Sequence, residues 1–366
     1  MTPPAKAQLV KQACRDVGFD LVGITPAGPV ERGPYYRDWL AAGYGGSMGY
    51  LRRNVETRLE PGRLLPGARS VVCVGLNYKR GSDTAPETDS AGGNATRSRA
   101  RPLGKVASYA RGRDYHDVMR EMLADAMTRV RERLQEPFEY RVCVDTAPVL
   151  ERELARAAGL GWVGKNTCVL NQRLGSYLFL AEAITTLDLP PDEPVLDRCG
   201  RCTRCLDACP TRAFPAPYQL DASRCISYLT IEHRGPVPEE FHATIGDWVF
   251  GCDICQQVCP YNRRAPVTGH ADITADRMRS ELDLLDLLRL RSGAYRRMTH
   301  GSATHRARRN MWRRNAAIAM GNVANLDARA AAEVNHVLAE ATRDQDPAIR
   351  HAALCAQTRL ATRAAT

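Results

Sequence analysis

The sequence predicts an α+β protein in three parts: an α/β stretch over 1-190, a cysteine-rich module over 191-265 and a helical stretch over 266-366. Three observations carry this. Before Pro190, short β-branched runs alternate with segments of helical periodicity. Between Cys199 and Pro260, eight cysteines fall in two spaced runs. Beyond Pro260, two alanine-rich helical patterns close the chain. At 366 residues there is enough chain for two or three domains with real cores.

The elements follow in order. Leu9, Val10, Ala13, Cys14 and Val17 share one face of a helix over 5–17, and Gly18 ends it. Leu21 to Thr25 reads as a buried strand and Tyr36 to Ala42 as a second helix. Four glycines between Gly43 and Gly49 either let backbone approach a flat ligand or supply a flexible connector. Ser70 to Asn77 is a buried strand by its β-branched run, and the polar, aperiodic stretch 81-100 is expected to be a disordered surface loop. Asp114 is placed to cap a helix running to Gln135. Tyr140 to Asp145 reads as a strand ending in a carboxylate, followed by a helix from about Val149 to Ala158 and a glycine-spaced loop to Asn166. Tyr177 to Thr186 is another strand, and Pro190, Pro191 and Pro194 mark a linker. Arg309 to Val323 and Asp346 to Leu360 read as helices, either a short HEAT-like stack or an ordinary helical cap.

The cysteines are the most specific signal. Cys199, Cys202, Cys205, Cys209 and Pro210 spell C-x2-C-x2-C-x3-C-P, and Cys252, Cys255, Cys259 and Pro260 spell C-x2-C-x3-C-P. The first is the bacterial ferredoxin run, in which the fourth cysteine ligates the other cluster. Cys199, Cys202 and Cys205 are therefore expected to share one [4Fe-4S] cluster with Cys259. Cys209, Cys252 and Cys255 are expected on the second, with Cys225 as the only local thiol left to complete it. Structural zinc also uses C-x2-C pairs, but it needs neither a third cysteine at that spacing nor two Cys-Pro endings. The other five of the 13 cysteines, Cys14, Cys73, Cys143, Cys168 and Cys355, are expected to pack as small hydrophobes.

Hydrophobic content of 44% and charged content of 25% are those of a soluble globular protein. The N-terminus lacks the apolar core of a signal peptide, and no apolar run approaches a membrane span. A cytoplasmic protein without membrane attachment is expected, where thiols stay reduced. Net charge is +10, and from Arg291 to Met320 there are eight arginines and no Asp or Glu. Arg296, Arg297, Arg306, Arg308, Arg309, Arg313 and Arg314 are candidate phosphate contacts, although such faces are often only solvated.

Two clusters imply electron delivery, and almost 200 residues of α/β sequence are more than a plain electron carrier needs. Asp145 is the catalytic candidate. At a strand end beside Gly- and Trp-containing loops, desolvation would raise its pKa and keep it a protonated acid; the bland alternative is a helix cap. Lys165 and Asn166 lie in a glycine-rich loop suited to phosphate, amide or RNA, or simply on the surface.

Together these segments resemble epoxyqueuosine reductases. The matching stretches are Tyr109 to His116, Val144 to Pro148, Glu151 to Asn166, the full cysteine set, Arg224 to Glu232, and Gly251 to Gln256. The resemblance implies a cobalamin-binding α/β domain like that of reductive dehalogenases, packed on the two-cluster module, with a HEAT-like C-terminal domain holding tRNA. It implies electrons from a low-potential flavodoxin- or ferredoxin-type donor, passing through the clusters to cobalt. The epoxide of epoxyqueuosine in the anticodon loop is then reduced, with Asp145 as proton donor. It also implies a monomer, and base-off cobalamin with no histidine ligand, since Met119 replaces the glycine of D-x-H-x-x-G after Asp114 and His116. Arg58, Lys165, Asn166, Ser227 and Asp253 fall in segments expected to line that cofactor, along with Asp145. Three alternatives compete: a small-molecule reductive dehalogenase, which usually carries an export signal; a zinc-stabilised RNA-binding protein; and an electron carrier without a corrin.

Overall fold

A computed structural model describes residues 1–81 and 101–364. All but the first residue of the loop expected over 81-100 lies outside the described residues. Its strands are β1 (Leu21–Pro26), β2 (Ser70–Asn77), β3 (Leu103–Val106), β4 (Tyr140–Cys143), β5 (Trp162–Val163), β6 (Val169–Leu170), β7 (Leu178–Thr185), β8 (Trp248–Phe250) and β9 (Glu281–Asp283). The helices that position the site are α1 (Pro3–Asp16), α2 (Tyr115–Leu134), α3 (Glu151–Ala157), α4 (Ile226–Ile231), α5 (Arg309–Met320), α6 (Ala328–Ala341) and α7 (Pro347–Ala364).

The main sheet has the order β1-β2-β7-β4, with every pairing antiparallel. All eight residues of β2 are buried, because helices cover both faces of the sheet. That is why its sequence runs apolar instead of alternating. On one face Val10 of α1 and Leu123 and Met127 of α2 pack under Val72, Val74 and Ala181. On the other, Leu154 and Ala155 of α3 lie over Val71, Cys73, Cys143 and Ile184. Gly23 is what lets the end of α3 settle on β1: a Cβ there would stand 1.9 Å from the Ala158 carbonyl oxygen. The Asp114 cap is present, its side chain accepting the His116 N–H.

Two boundaries differ from the sequence reading for one reason. The strand expected to reach Asp145 ends at Cys143, and the following helix starts at Glu151 instead of Val149. Asp145 adopts φ 49° and gives its N–H to the Glu151 carboxylate, so the ladder cannot continue through it. In the C-terminal part the sequence reading missed α6, capped by Asp327 and packed against α7.

A second sheet, β8-β3-β9, joins the three parts of the chain: β3 runs parallel to β8 and antiparallel to β9. One core is continuous from Val106 through Ile226 and Phe250 to Trp312 and Ile349. No helix among the described residues is long and apolar enough to cross a membrane.

Candidate active site and cluster module

The cysteines stand in two quartets. Cys199, Cys202, Cys205 and Cys259 line one small concavity of about 30 Å³, together with Lys165, Asn166 and Leu170. Burial first, then Cys259, Cys199 and Cys202, push the Cys205 thiol up to about 11. Cys209, Cys225, Cys252 and Cys255 form the other set: Cys252 is raised by burial and then by Cys225 and Cys209, and Cys252 and Cys225 add to the rise at Cys255. Among the described residues, no three His, Cys, Asp or Glu side chains close on the point that a single ion would need.

N–H donors already face these sulfurs: Trp162 Nε1 lies 3.5 Å from Cys199 Sγ, and the Ala213 N–H 3.3 Å from Cys209 Sγ. Such donors tune cluster potential. Gly164 keeps the first quartet open, since a Cβ there would sit 2.2 Å from Leu170 and 3.5 Å from Cys199 Sγ. Cys168 was expected to be a packing thiol. It stands instead beside Cys255, whose interaction lowers its pKa.

Around Asp145 the chain builds a charged array. His116 Nδ1 is 2.7 Å from Asp114 Oδ1, and His116 Nε2 is 3.2 Å from Asp145 Oδ2. Burial works against the imidazolium, but the two carboxylates overcome it and raise His116 to about 9. Burial would also raise Asp145; the hydrogen bond and charge of His116, then Tyr115 and Arg306, outweigh it and hold the carboxyl below its ordinary value. This corrects the expected protonated acid. The Asp145 side chain is 55% exposed, open to an incoming group even though protein flanks it. The proton sits on His116, whose ring stacks on Tyr115 at 4.1 Å.

Behind Asp145 lie two neutral carboxyls that sequence reading passed over. Glu151 is raised to about 8, by burial and then by the Asp145 charge. Glu182 of β7 is fully buried, pairs across the sheet with Cys73 and Cys143, and has no hydrogen-bond partner among the described residues on either carboxyl oxygen. Burial and then Glu151 and Asp145 push it well above the usual carboxylate range.

Tyr109 packs against the same core as Cys225 and Cys252, and its phenol is raised by burial and then by Asp145, Asp253 and Glu232. Asp253 is 2% exposed and accepts the Ser108 N–H at 2.7 Å. Ser227 lies in the first turn of α4, two residues past Cys225. Arg58 is buried; its NH2 donates to the Tyr50 carbonyl at 3.4 Å, while its Nε has no partner among the described residues. Lys165 and Asn166 turn to the cysteine runs: Lys165 Nζ donates to the Gly200 and Cys202 carbonyls at 2.7 and 3.0 Å, and Asn166 Nδ2 to that of Cys255 at 3.4 Å. The glycine loop is bound to protein as well, since a Cβ on Gly46 would meet the Tyr228 ring at 2.8 Å.

The arginine run divides. Arg314 is 1% exposed and donates to the carbonyls of His233, Gly235 and Leu229 at 2.7–2.8 Å. It caps the end of α4, the helix that follows Cys225, so the phosphate role expected of it is withdrawn. Arg313 pairs with Asp344 at 2.6 Å and Arg309 donates to the Leu290 carbonyl at 3.4 Å, so both serve packing. Trp312 is fully buried, stacked on Phe250. Arg306 makes a two-pronged pair with Glu232 at 2.6 and 3.0 Å and lies over Tyr50. Arg296, Arg297 and Arg308 are exposed.

Comparison with known proteins places this geometry. A family model described as 4Fe-4S double cluster binding domain matches residues 198–262, and one described as epoxyqueuosine reductase QueG matches residues 58–146. The chain is 43% identical to the epoxyqueuosine reductase of Xanthomonas campestris over 87% of its own length and 88% of the relative's. A crystal structure of an epoxyqueuosine reductase with an epoxyqueuosine-modified tRNA stem loop superposes with TM-score 0.83 at 32% identity, covering 97% of this chain and 90% of that one. A Bacillus subtilis epoxyqueuosine reductase, with its catalytic loop swung out of the active site, gives TM-score 0.82 at 31% identity over the same shares. From the double-cluster module to the loop that carries Asp145, this chain belongs to the epoxyqueuosine reductase family of oxidoreductases.

Proposed function

We propose that the chain reduces the epoxide of epoxyqueuosine in the anticodon loop of tRNA, with the Asp145–His116 pair as its proton source. The observation that carries this reading is the 3.2 Å contact between Asp145 and a protonated His116, beside a buried Tyr109 that feels the charges of both Asp145 and Asp253. Removing an epoxide oxygen as water takes two electrons and two protons. The first proton passes from the imidazolium through the Asp145 carboxyl to the developing alkoxide. Asp114 then holds His116 in place for reprotonation, and Glu151 fixes the Asp145 backbone.

Cys199, Cys202, Cys205 and Cys259 are proposed as ligands of one [4Fe-4S] cluster, and Cys209, Cys225, Cys252 and Cys255 as ligands of the other. The residues also fit cobalamin. Arg58 offers a buried Nε with no acceptor among the described residues, Ser227 lies two residues past Cys225, and buried Asp253 stands between Cys252 and Cys255. When bound, cobalamin would supply low-potential redox chemistry at the epoxide carbon. Exposed Arg296, Arg297 and Arg308 are proposed to position tRNA phosphates. The test is anaerobic incubation of reconstituted protein, cobalamin and reductant with epoxyqueuosine-containing tRNA, followed by nucleoside mass analysis. An unaltered epoxide would end the reading.

A further inference from the structure

An arginine stands directly before each of the first three cysteines: Arg198-Cys199, Arg201-Cys202 and Arg204-Cys205. All three arginines are exposed. The two nearest acids turn to other groups: Asp197 accepts the Tyr218 hydroxyl and the Cys199 N–H, and Asp207 accepts the Thr203 hydroxyl. In the other quartet only Cys225 follows an arginine. That residue, Arg224, is half-buried, donates to the Thr211 carbonyl at 3.1 Å and lies over Phe241. The same outer segment also exposes Leu196 (81%) and Val195 (42%), two of the five large hydrophobics exposed among the described residues.

We propose that Arg198, Arg201 and Arg204, with Leu196 among them, form the docking face for a small acidic one-electron carrier protein of flavodoxin or ferredoxin type. This rests on the reading that both quartets hold clusters. Electrons must enter where a cluster comes nearest the surface, and a collar of positive charge with no ion pair among the described residues attracts and orients an acidic partner. Transient redox encounters bury little area and lean on such charge. Each encounter oxidises the carrier by one electron and reduces the outer cluster by one, so two encounters supply the pair the reduction needs. A nucleic acid is the weaker occupant. Cys199 and Cys259 pack with Trp162, Leu170 and Tyr261, whereas Cys225 and Cys252 pack on the core shared with the C-terminal helices. The collar therefore lies on the side of the module away from those helices.

The experiment uses the full chain with clusters reconstituted, comparing wild type with R198E/R201E/R204E. Affinity for oxidised flavodoxin is read by calorimetry, and cluster bleaching by reduced flavodoxin in anaerobic stopped flow. The variant should lose about tenfold or more in both, and its rate should no longer rise at low salt. Bleaching by reduced methyl viologen and iron content should be unchanged. If the triple variant loses iron, R201E alone carries the test, with a smaller loss expected. An unchanged flavodoxin rate at low salt would overturn the proposal. So would equal slowing with methyl viologen at full iron content, or lost tRNA stem-loop affinity with the flavodoxin rate intact. Neither readout needs the tRNA substrate, so an epoxide left untouched by wild type would sink the reductase reading separately.

Discussion

The chain around Cys199, Cys202 and Cys205 is exposed on almost every flanking residue from Glu193 to Arg204, whereas Cys252 and Cys255 are flanked by buried Gly251, Asp253 and Gln256. Each set contains a C-x2-C pair and one Cys-Pro ending, yet one is edged by arginines and the other by Asp253 and Tyr109. The difference gives the module a direction, an exposed basic end and a buried end. Spacing alone makes the two ends look equivalent; their surroundings do not.

The sharpest way to break this contrast is at the inner end. Asp145→Asn should lower turnover by about 10²–10⁴-fold while leaving iron content intact; ordinary turnover in the nucleoside assay would take Asp145 out of the chemistry. Cys225→Ala should remove about half the iron and abolish turnover, leaving an outer cluster that methyl viologen still bleaches. Retention of all the iron would show that Cys225 is not a ligand.

His116 sharpens the comparison through pH. It keeps its proton to about 9, against an ordinary value of 6.5. Turnover should therefore fall as pH rises through about 9, and His116→Asn should erase that limb of the profile. The same shift stabilises the fold: its contribution is whole below pH 6.5 and disappears as pH climbs through about 9. Thermal melts across that range should show the loss, and a flat melting profile would speak against a charged His116.

Smaller effects separate the arginines. Arg314→Leu should destabilise by about 1–3 kcal/mol through unpaired carbonyls at the end of α4, with little change in RNA affinity per folded molecule. Replacing Arg296, Arg297 and Arg308 with alanine should leave the melting temperature nearly unchanged but lower the salt slope of tRNA binding by about 1 per lost phosphate contact. Reversed outcomes for these two variants would make Arg314 the RNA contact and the exposed trio a structural element.

What could be read in advance was local. Cysteine spacing is a property of short loops, β2 announces burial by its own β-branched run, and Asp114 caps its helix within two residues. What escaped depends on distant parts of the chain. His116 meets Asp145 across 29 positions, Glu182 looks like one polar residue in a strand, and Cys168 becomes notable only beside Cys255. The arginine run misled because charge in a sequence does not reveal which guanidinium faces inward. Arg314 turns in because α4 ends with carbonyls that need donors.

Strand β3 has one further consequence. It is clasped by β8 on one edge and β9 on the other, although both lie more than a hundred residues further along the chain. No fragment cut at the seams of the sequence inherits a finished sheet. Truncation before Glu281 would bare a ragged edge beside the inner thiols, inviting aggregation and oxidative loss of iron. Heat should likewise melt the α/β part, the cysteine-rich module and the helical tail together in one cooperative transition.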